Sequence, residues 1–166
     1  MSRASLLASA AFAVAFAFGC SEPVSNTPEA GAPSFVGHFL GSKTSCSLSG
    51  QNLVCTFKEA GLPSGSVETV TLNATGSATY QCINGGGENP NDQKKTTVSS
   101  QLSVSGQFTA SKSGNIVGTL TLSPPGPGSF SCPNGQTVAG PTNVSYTIVT
   151  INDATSGASL GVSGSF

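Results

Sequence analysis

The chain has few charged residues, and this shortage excludes several classes of protein. Only 8% of its 166 residues are charged, and the formal net charge is −1. Soluble domains have roughly 25% charged residues. A chain with so little positive charge lacks the cationic surface that binds nucleic acid by releasing counterions. It is not typical of disorder either, because disordered chains combine low hydrophobicity with high net charge. We therefore expect a folded domain without a nucleic-acid partner.

Histidine and locally paired carboxylates are also scarce, which argues against catalysis. A Ser–His–Asp triad needs a histidine base, and the single histidine, His38, lies near the start of the first predicted strand. One histidine leaves too few ligands for zinc once the cysteines are oxidised. The carboxylates of the body are scattered along the sequence: Glu59, Glu68, Glu88, Asp92 and Asp153. We predict no enzyme activity, no catalytic residues, no metal and no cofactor.

The N-terminal residues have the pattern of an export signal. Arg3 precedes an apolar run over residues 6–18, which is shorter than the roughly 20 residues that span a bilayer. Such a run is typical of a signal peptide. It ends in Ala17-Phe18-Gly19-Cys20, and small residues followed by Cys resemble the lipobox of bacterial lipoproteins. The resemblance implies that the thiol of Cys20 carries lipid and that Cys20 begins the mature protein.

The number of cysteines agrees with lipid attachment at Cys20. The chain has five cysteines, and an odd number in an exported protein needs an explanation. Lipidation of Cys20 leaves four that can pair completely; plain secretion is the alternative. Residues 21–33 are proline-rich and lack aromatic residues, which is typical of a tether. We predict a signal peptide over residues 1–19, a lipidated cysteine and tether over 20–33, and one domain over 34–166.

The body alternates between apolar and polar residues, which predicts half-buried antiparallel strands. Clusters of Gly, Pro and Asn separate the segments and predict turns. We predict an all-β fold, an antiparallel, immunoglobulin-like β-sandwich with two disulfides; a small closed barrel is the alternative. An outer-membrane barrel is disfavoured, because the body has too few aromatic residues for two interfacial girdles. The alternating segments cover residues 70–74, 102–108, 116–122, 144–148 and 158–166.

One hairpin can be predicted residue by residue. Gly50-Gln51 suits a two-residue type II′ loop, which prefers Gly at its first position. This register places Leu48 opposite Leu53 and Cys46 opposite Cys55, on one core-facing side of the hairpin. The cysteines fall at a non-hydrogen-bonded site, where side chains approach closely enough for a disulfide. The sequence therefore favours a Cys46–Cys55 bridge.

The remaining cysteines then pair as Cys82–Cys132. This bridge connects two polar loops, which lie within residues 83–95 and 123–141 and contain much Gly and Pro. The first loop also contains the best oxygen donors for a hard cation such as calcium. It lacks the spacing of an EF-hand, so these donors are weak calcium candidates: Glu88, Asn91 and Asp92.

Several segments of the body resemble small secreted Ser/Thr-rich bacterial proteins that have no assigned activity. The resemblance implies export but no catalytic residue. The segments that carry it are Cys55-Thr-Phe-Lys-Glu-Ala-Gly-Leu62, residues 79–90, Leu122-Ser-Pro-Pro125, residues 131–137 and Val144-Ser-Tyr-Thr147.

The leading functional hypothesis is a non-enzymatic head domain in the bacterial cell envelope. We expect it to be structural or adhesive, or to bind an extracellular or envelope ligand through the loops over residues 85–95 and 124–141, since binding residues often lie on loops of a rigid scaffold. Its membrane contact is expected only through the lipid. Two alternatives stay open: a small secreted hydrolase whose site forms only in three dimensions, and a calcium- or carbohydrate-binding module.

Overall fold

A computed structural model describes residues 36–87 and 94–166, in which nine β-strands and one short 3-10 turn (Gly41–Lys43) occur. No helix within these residues is long and apolar enough to cross a bilayer. The strands are β1 (His38–Phe39), β2 (Ser45–Ser49), β3 (Asn52–Ala60), β4 (Val67–Asn84), β5 (Lys95–Thr109), β6 (Asn115–Leu122), β7 (Gln136–Ala139), β8 (Val144–Asp153) and β9 (Ser159–Val162).

The strands form two antiparallel sheets. In sheet 1, β3 pairs with β1 and β2 along one edge and with β6 along the other. In sheet 2, β4 pairs with β5 on one edge and with β8 and then β7 on the other, while β9 pairs with β8. The predicted all-β antiparallel sandwich is confirmed. The described strands form two separate sheets and do not close into the barrel that was the alternative.

The hairpin of β2 and β3 has the predicted register. Cys46 pairs with Cys55 and Leu48 with Leu53, and Gly50 has the positive φ of 61° that a type II′ turn requires. Both predicted disulfides are present, Cys46–Cys55 and Cys82–Cys132. Leu48 differs from prediction, because 43% of its surface is exposed. It lies on the short edge strand β2, where sheet 2 does not cover it.

The core lies between the two sheets, on the alternate positions that face inward. Phe57 is fully buried and meets Phe39 and Phe108 edge-to-face, with ring centroids 5.8 and 5.1 Å apart. Tyr146 is also buried, and its hydroxyl donates to the carbonyls of Gln51 and Leu122. These contacts satisfy the polar atom while the ring contributes to the apolar core.

The alternation predicted for β8 fails at one residue. Ile148 was expected on the buried face with Tyr146, but 75% of its surface is exposed and its φ is +51°. The pairing of β8 with β4 shifts register between Asn73 and Thr75, which is the signature of a β-bulge. The extra residue turns Ile148 outward and places Val149 in the core instead.

The close packing around Gly118 of β6 gives a test of this core. A Cβ atom there would lie 2.5 Å from atoms of both Phe57 and Phe108. Because overpacking forces neighbouring rings to move, we expect Gly118→Ala to lower the free energy of unfolding by about 1–3 kcal/mol, measured by denaturant unfolding. Gly161→Ala in β9 is the control, since its Cβ would meet nothing within 4 Å. Equal stability of the two variants would contradict this packing.

Candidate functional site

The sandwich has two ends with different chemistry. At one end, the last residues of β4 and the first of β5 meet the segment over residues 123–141; we call this the disulfide end. At the other, the end of β3, the start of β4 and the end of β8 come together; we call this the acid end. They are opposite because β4 runs the whole length between them, from Val67 to Asn84.

At the disulfide end, covalent and polar contacts hold a segment with little regular structure against sheet 2. Cys82 is bonded to Cys132, and β7 pairs with the end of β4 from Gln81 to Asn84. The buried hydroxyl of Tyr80 donates to the carbonyl of Pro125 at 2.6 Å. Polar loop residues are therefore held in place without a large apolar core of their own.

Lys94 connects the two predicted loops. Its ammonium donates to the carbonyl of Ser131 at 2.8 Å and lies 5.5 Å from the centre of the Phe130 ring, within the range of a cation–π contact. The loop tips beside it, at residues 85–87 and 133–135, are exposed. This end presents backbone amides, hydroxyls and side-chain amides to solvent.

Several predicted positions fall outside the described residues. These include the signal peptide, the tether, Cys20 and all three weak calcium candidates, Glu88, Asn91 and Asp92. His38 is exposed in the two-residue strand β1, and its Nδ1 lies 3.4 Å from the Val36 carbonyl oxygen. A small cleft elsewhere has no charged residue in its lining, which consists of Gly41, Thr44, Leu160, Gly161, Val162 and Ser163.

At the acid end, three carboxyl groups from three different strands are buried. Glu59, Glu68 and Asp153 are 0%, 1% and 2% exposed. Gly37 lies against Glu59, since a Cβ on Gly37 would be 2.6 Å from Glu59 Oε1. Buried ionisable groups are normally paired with an opposite charge, so this arrangement is unusual.

Each carboxyl group has one satisfied oxygen and one that is not. Glu59 Oε1 accepts from Ser156 Oγ at 2.7 Å, Asp153 Oδ1 accepts from the Thr155 amide at 2.8 Å, and Ser66 Oγ donates to Glu68 Oε1. The second oxygens, Glu59 Oε2, Glu68 Oε2 and Asp153 Oδ2, are buried, and none of the described residues forms a hydrogen bond with them. No cationic side chain of the described residues bonds to them.

This environment favours the protonated form of Glu59. Burial raises its pKa from 4.5 to about 7; the hydrogen bond from Ser156 opposes the rise, whereas the negative charges of Asp153 and Glu68 add to it. A proton on Glu59 removes one buried negative charge. The cluster thus holds a proton near neutral pH.

Sequence reasoning missed this cluster, although a signal was present. Glu59 occupies the inward position that follows Leu53, Cys55 and Phe57 in β3. Glu68 likewise precedes Val70 in β4, and Asp153 follows Ile151 in β8. A carboxylate on the same alternate positions as the buried apolar residues of a strand is expected to face the core. The spacing of residues within one strand, however, does not predict which carboxylates of the opposite sheet lie beside it.

The acid end does not have the geometry of an open active site. Its carboxyl groups are buried, so no substrate reaches them in this conformation. Among residues 36–87 and 94–166, no three His, Cys, Asp or Glu side chains form a group suited to hold a metal ion. The raised pKa of Glu59 implies that proton binding at this residue is coupled to folding.

Comparison of the chain with protein-family models, with curated proteins and with solved structures finds no match.

The raised pKa of Glu59 predicts how stability depends on pH. Because this pKa is about 7 in the folded chain against an ordinary 4.5, the folded state binds more protons between these values. The contribution of protonated Glu59 to the free energy of unfolding is fully present below pH 4.5. It is lost as the pH rises through 7, because the buried carboxyl group then ionises. We expect Glu59→Gln, which stays neutral, to be roughly 3 kcal/mol more stable than wild type near pH 8.5.

Urea unfolding of both proteins near pH 8.5 and near pH 4 measures this difference. Near pH 4 the gap should almost disappear, because Glu59 is then protonated in both the folded and the unfolded chain. This acidic measurement is the internal control for any other effect of the substitution. A variant less stable than wild type at the higher pH would show that Glu59 is not held as the acid.

Proposed function

We propose that this chain is a non-catalytic head domain of the bacterial cell envelope. In this proposal it crosses the membrane on its signal peptide, is anchored by lipid on Cys20 and binds an extracellular or envelope ligand through the disulfide end. Its two disulfides support export, since such bonds persist in oxidising compartments. The low charge and the lipobox resemblance of residues 17–20 also support it.

The observation that carries this proposal is the cross-linking of exposed loops to a rigid sheet. The Cys82–Cys132 bond and the pairing of β7 with β4 hold the segment over residues 123–141 in one place. Loops fixed before binding lose less conformational entropy when they meet a ligand. The disulfide and the strand pairing therefore fix a segment whose side chains are mostly small, polar and exposed.

The chemistry of these loops favours an uncharged polar ligand. Asn84 and Asn134 are exposed at the tips, and their amides both donate and accept hydrogen bonds. Lys94 is already engaged with Ser131 and Phe130, so it is not available as a free charge. A glycan of the cell envelope, rich in hydroxyl groups, fits this surface.

Binding to insoluble peptidoglycan and to purified cell-surface polysaccharide tests the proposal. We expect the protein to co-sediment with one of them, and the double substitution Asn84→Ala/Asn134→Ala to weaken binding about 25-fold, since each of the two lost hydrogen bonds contributes about 1 kcal/mol. The matched control is Ser64→Ala/Lys112→Ala, at exposed turns of the acid end, which should bind as wild type does. Hydrolysis of either glycan, or of ester substrates, without specific binding would reverse the proposal in favour of a hydrolase.

The lipid anchor has its own test. Cells grown with radioactive palmitate should label the wild-type protein, and Cys20→Ser should abolish the label because the acylated thiol is gone. The substituted protein should then appear in the soluble extracytoplasmic fraction. Wild-type protein that is unlabelled and freely released would remove the anchor from the proposal and leave plain secretion.

A further inference from the structure

The outer edge of β5 is the longest unpaired strand edge in the described part of the chain. β5 pairs with β4 continuously from Lys95 to Thr109, with no shift in register. No backbone hydrogen bond connects residues 96–109 with any described segment other than β4. One side of β5 therefore presents a row of free N–H and C=O groups, which is a template for another strand.

This edge lacks the features by which proteins prevent edge-to-edge pairing. Charged side chains, prolines, bulges and short length are the usual protections. β5 has 15 residues and contains no proline and one charged residue, Lys95, at its first position. The other edge strands are shorter: β6 has eight residues, β2 five, β9 and β7 four each, and β1 two.

The two faces of β5 differ, which limits how another strand can join it. Even-numbered positions are half-buried and include Val98, Leu102 and Val104, whereas odd-numbered positions are exposed and polar. An added strand must place apolar residues beside the first set and polar residues beside the second, because a slip by one residue exchanges the faces.

We propose that a second copy of this chain pairs with β5 through its own β5, in antiparallel orientation, so that the two five-stranded sheets become one. Two identical strands around a twofold axis are self-complementary. In the register that places Leu102 opposite Leu102 of the second copy, even positions face even positions and odd face odd. The half-buried row is covered by its equivalent, and the polar face continues across the junction.

Charge placement favours the same pairing. In this register Lys95 faces Thr109 of the second copy, and the two lysines lie at opposite ends of the junction. No like charges are opposed, which matters because directly opposite like charges destabilise strand pairs. The rest of β5, from Thr96 to Thr109, contains no charged residue, so charge repulsion does not oppose pairing along it.

Sedimentation equilibrium of the full chain carrying Cys20→Ser, which removes any lipid, tests the proposal. We expect a reversible dimer. The substitution Gln101→Lys/Ser103→Lys puts lysines on exposed positions that face each other across the twofold axis, and it should raise the dimer dissociation constant at least about tenfold through like-charge repulsion. Thermal unfolding of the isolated monomer should be cooperative, which shows that the variant folds.

The matched control places the same charges on the other sheet. Thr119→Lys/Thr121→Lys changes two exposed positions of the edge strand β6, and it should leave the dimer intact. Three results overturn the proposal: a wild-type chain that stays monomeric near 100 μM, a dimer that the β5 substitution does not weaken, or a dimer that the β6 substitution disrupts instead. Loss of glycan binding in the β5 variant is not expected, so this test is separate from that of the proposed function.

Discussion

The alternation of side chains along β4 is the constraint on which the whole molecule depends. Every second residue from Glu68 to Cys82 is buried, within a continuous strand of 18 residues. Near the acid end this row packs against sheet 1 through Val70 and Leu72. Near the disulfide end, Tyr80 and Cys82 are covered by the irregular segment that begins after β6. One strand thus organises an ordinary sandwich core and a loop-covered extension.

The two ends of the sandwich differ in whether their polar groups are removed from water. At the disulfide end, polar loops stay exposed and are held by a covalent bond and by strand pairing, so little has to be desolvated. At the acid end, three carboxyl groups lose their water, and the cost of burying negative charge is reduced by binding a proton. Such a cluster makes an otherwise charge-poor fold sensitive to pH near neutrality.

Local rules predicted most of the fold. The hairpin of β2 and β3 followed from one glycine and the period of two, because turn type sets the register of the strands beside it. The disulfides followed from that register and from counting cysteines. The rules failed at Leu48, which lies on an edge that no second sheet covers, and at Ile148, which a bulge turns outward. Both failures depend on how strands are placed beside each other rather than on their own patterns.

The amino-acid sequence alone determined the strand character of the body and its cystine pairing, since these depend on the local period of two, on the turn between β2 and β3, and on the two cysteines that remain once Cys46 and Cys55 pair. The lipid-bearing N-terminus, which also comes from sequence pattern, stays a prediction. Only the tertiary structure decided that Glu59, Glu68 and Asp153 share one buried space, that residues 123–141 lie over the end of β4, and which strand edges are left open. These features arise where chain segments many residues apart cross between two sheets, and no local spacing encodes the distance between such segments.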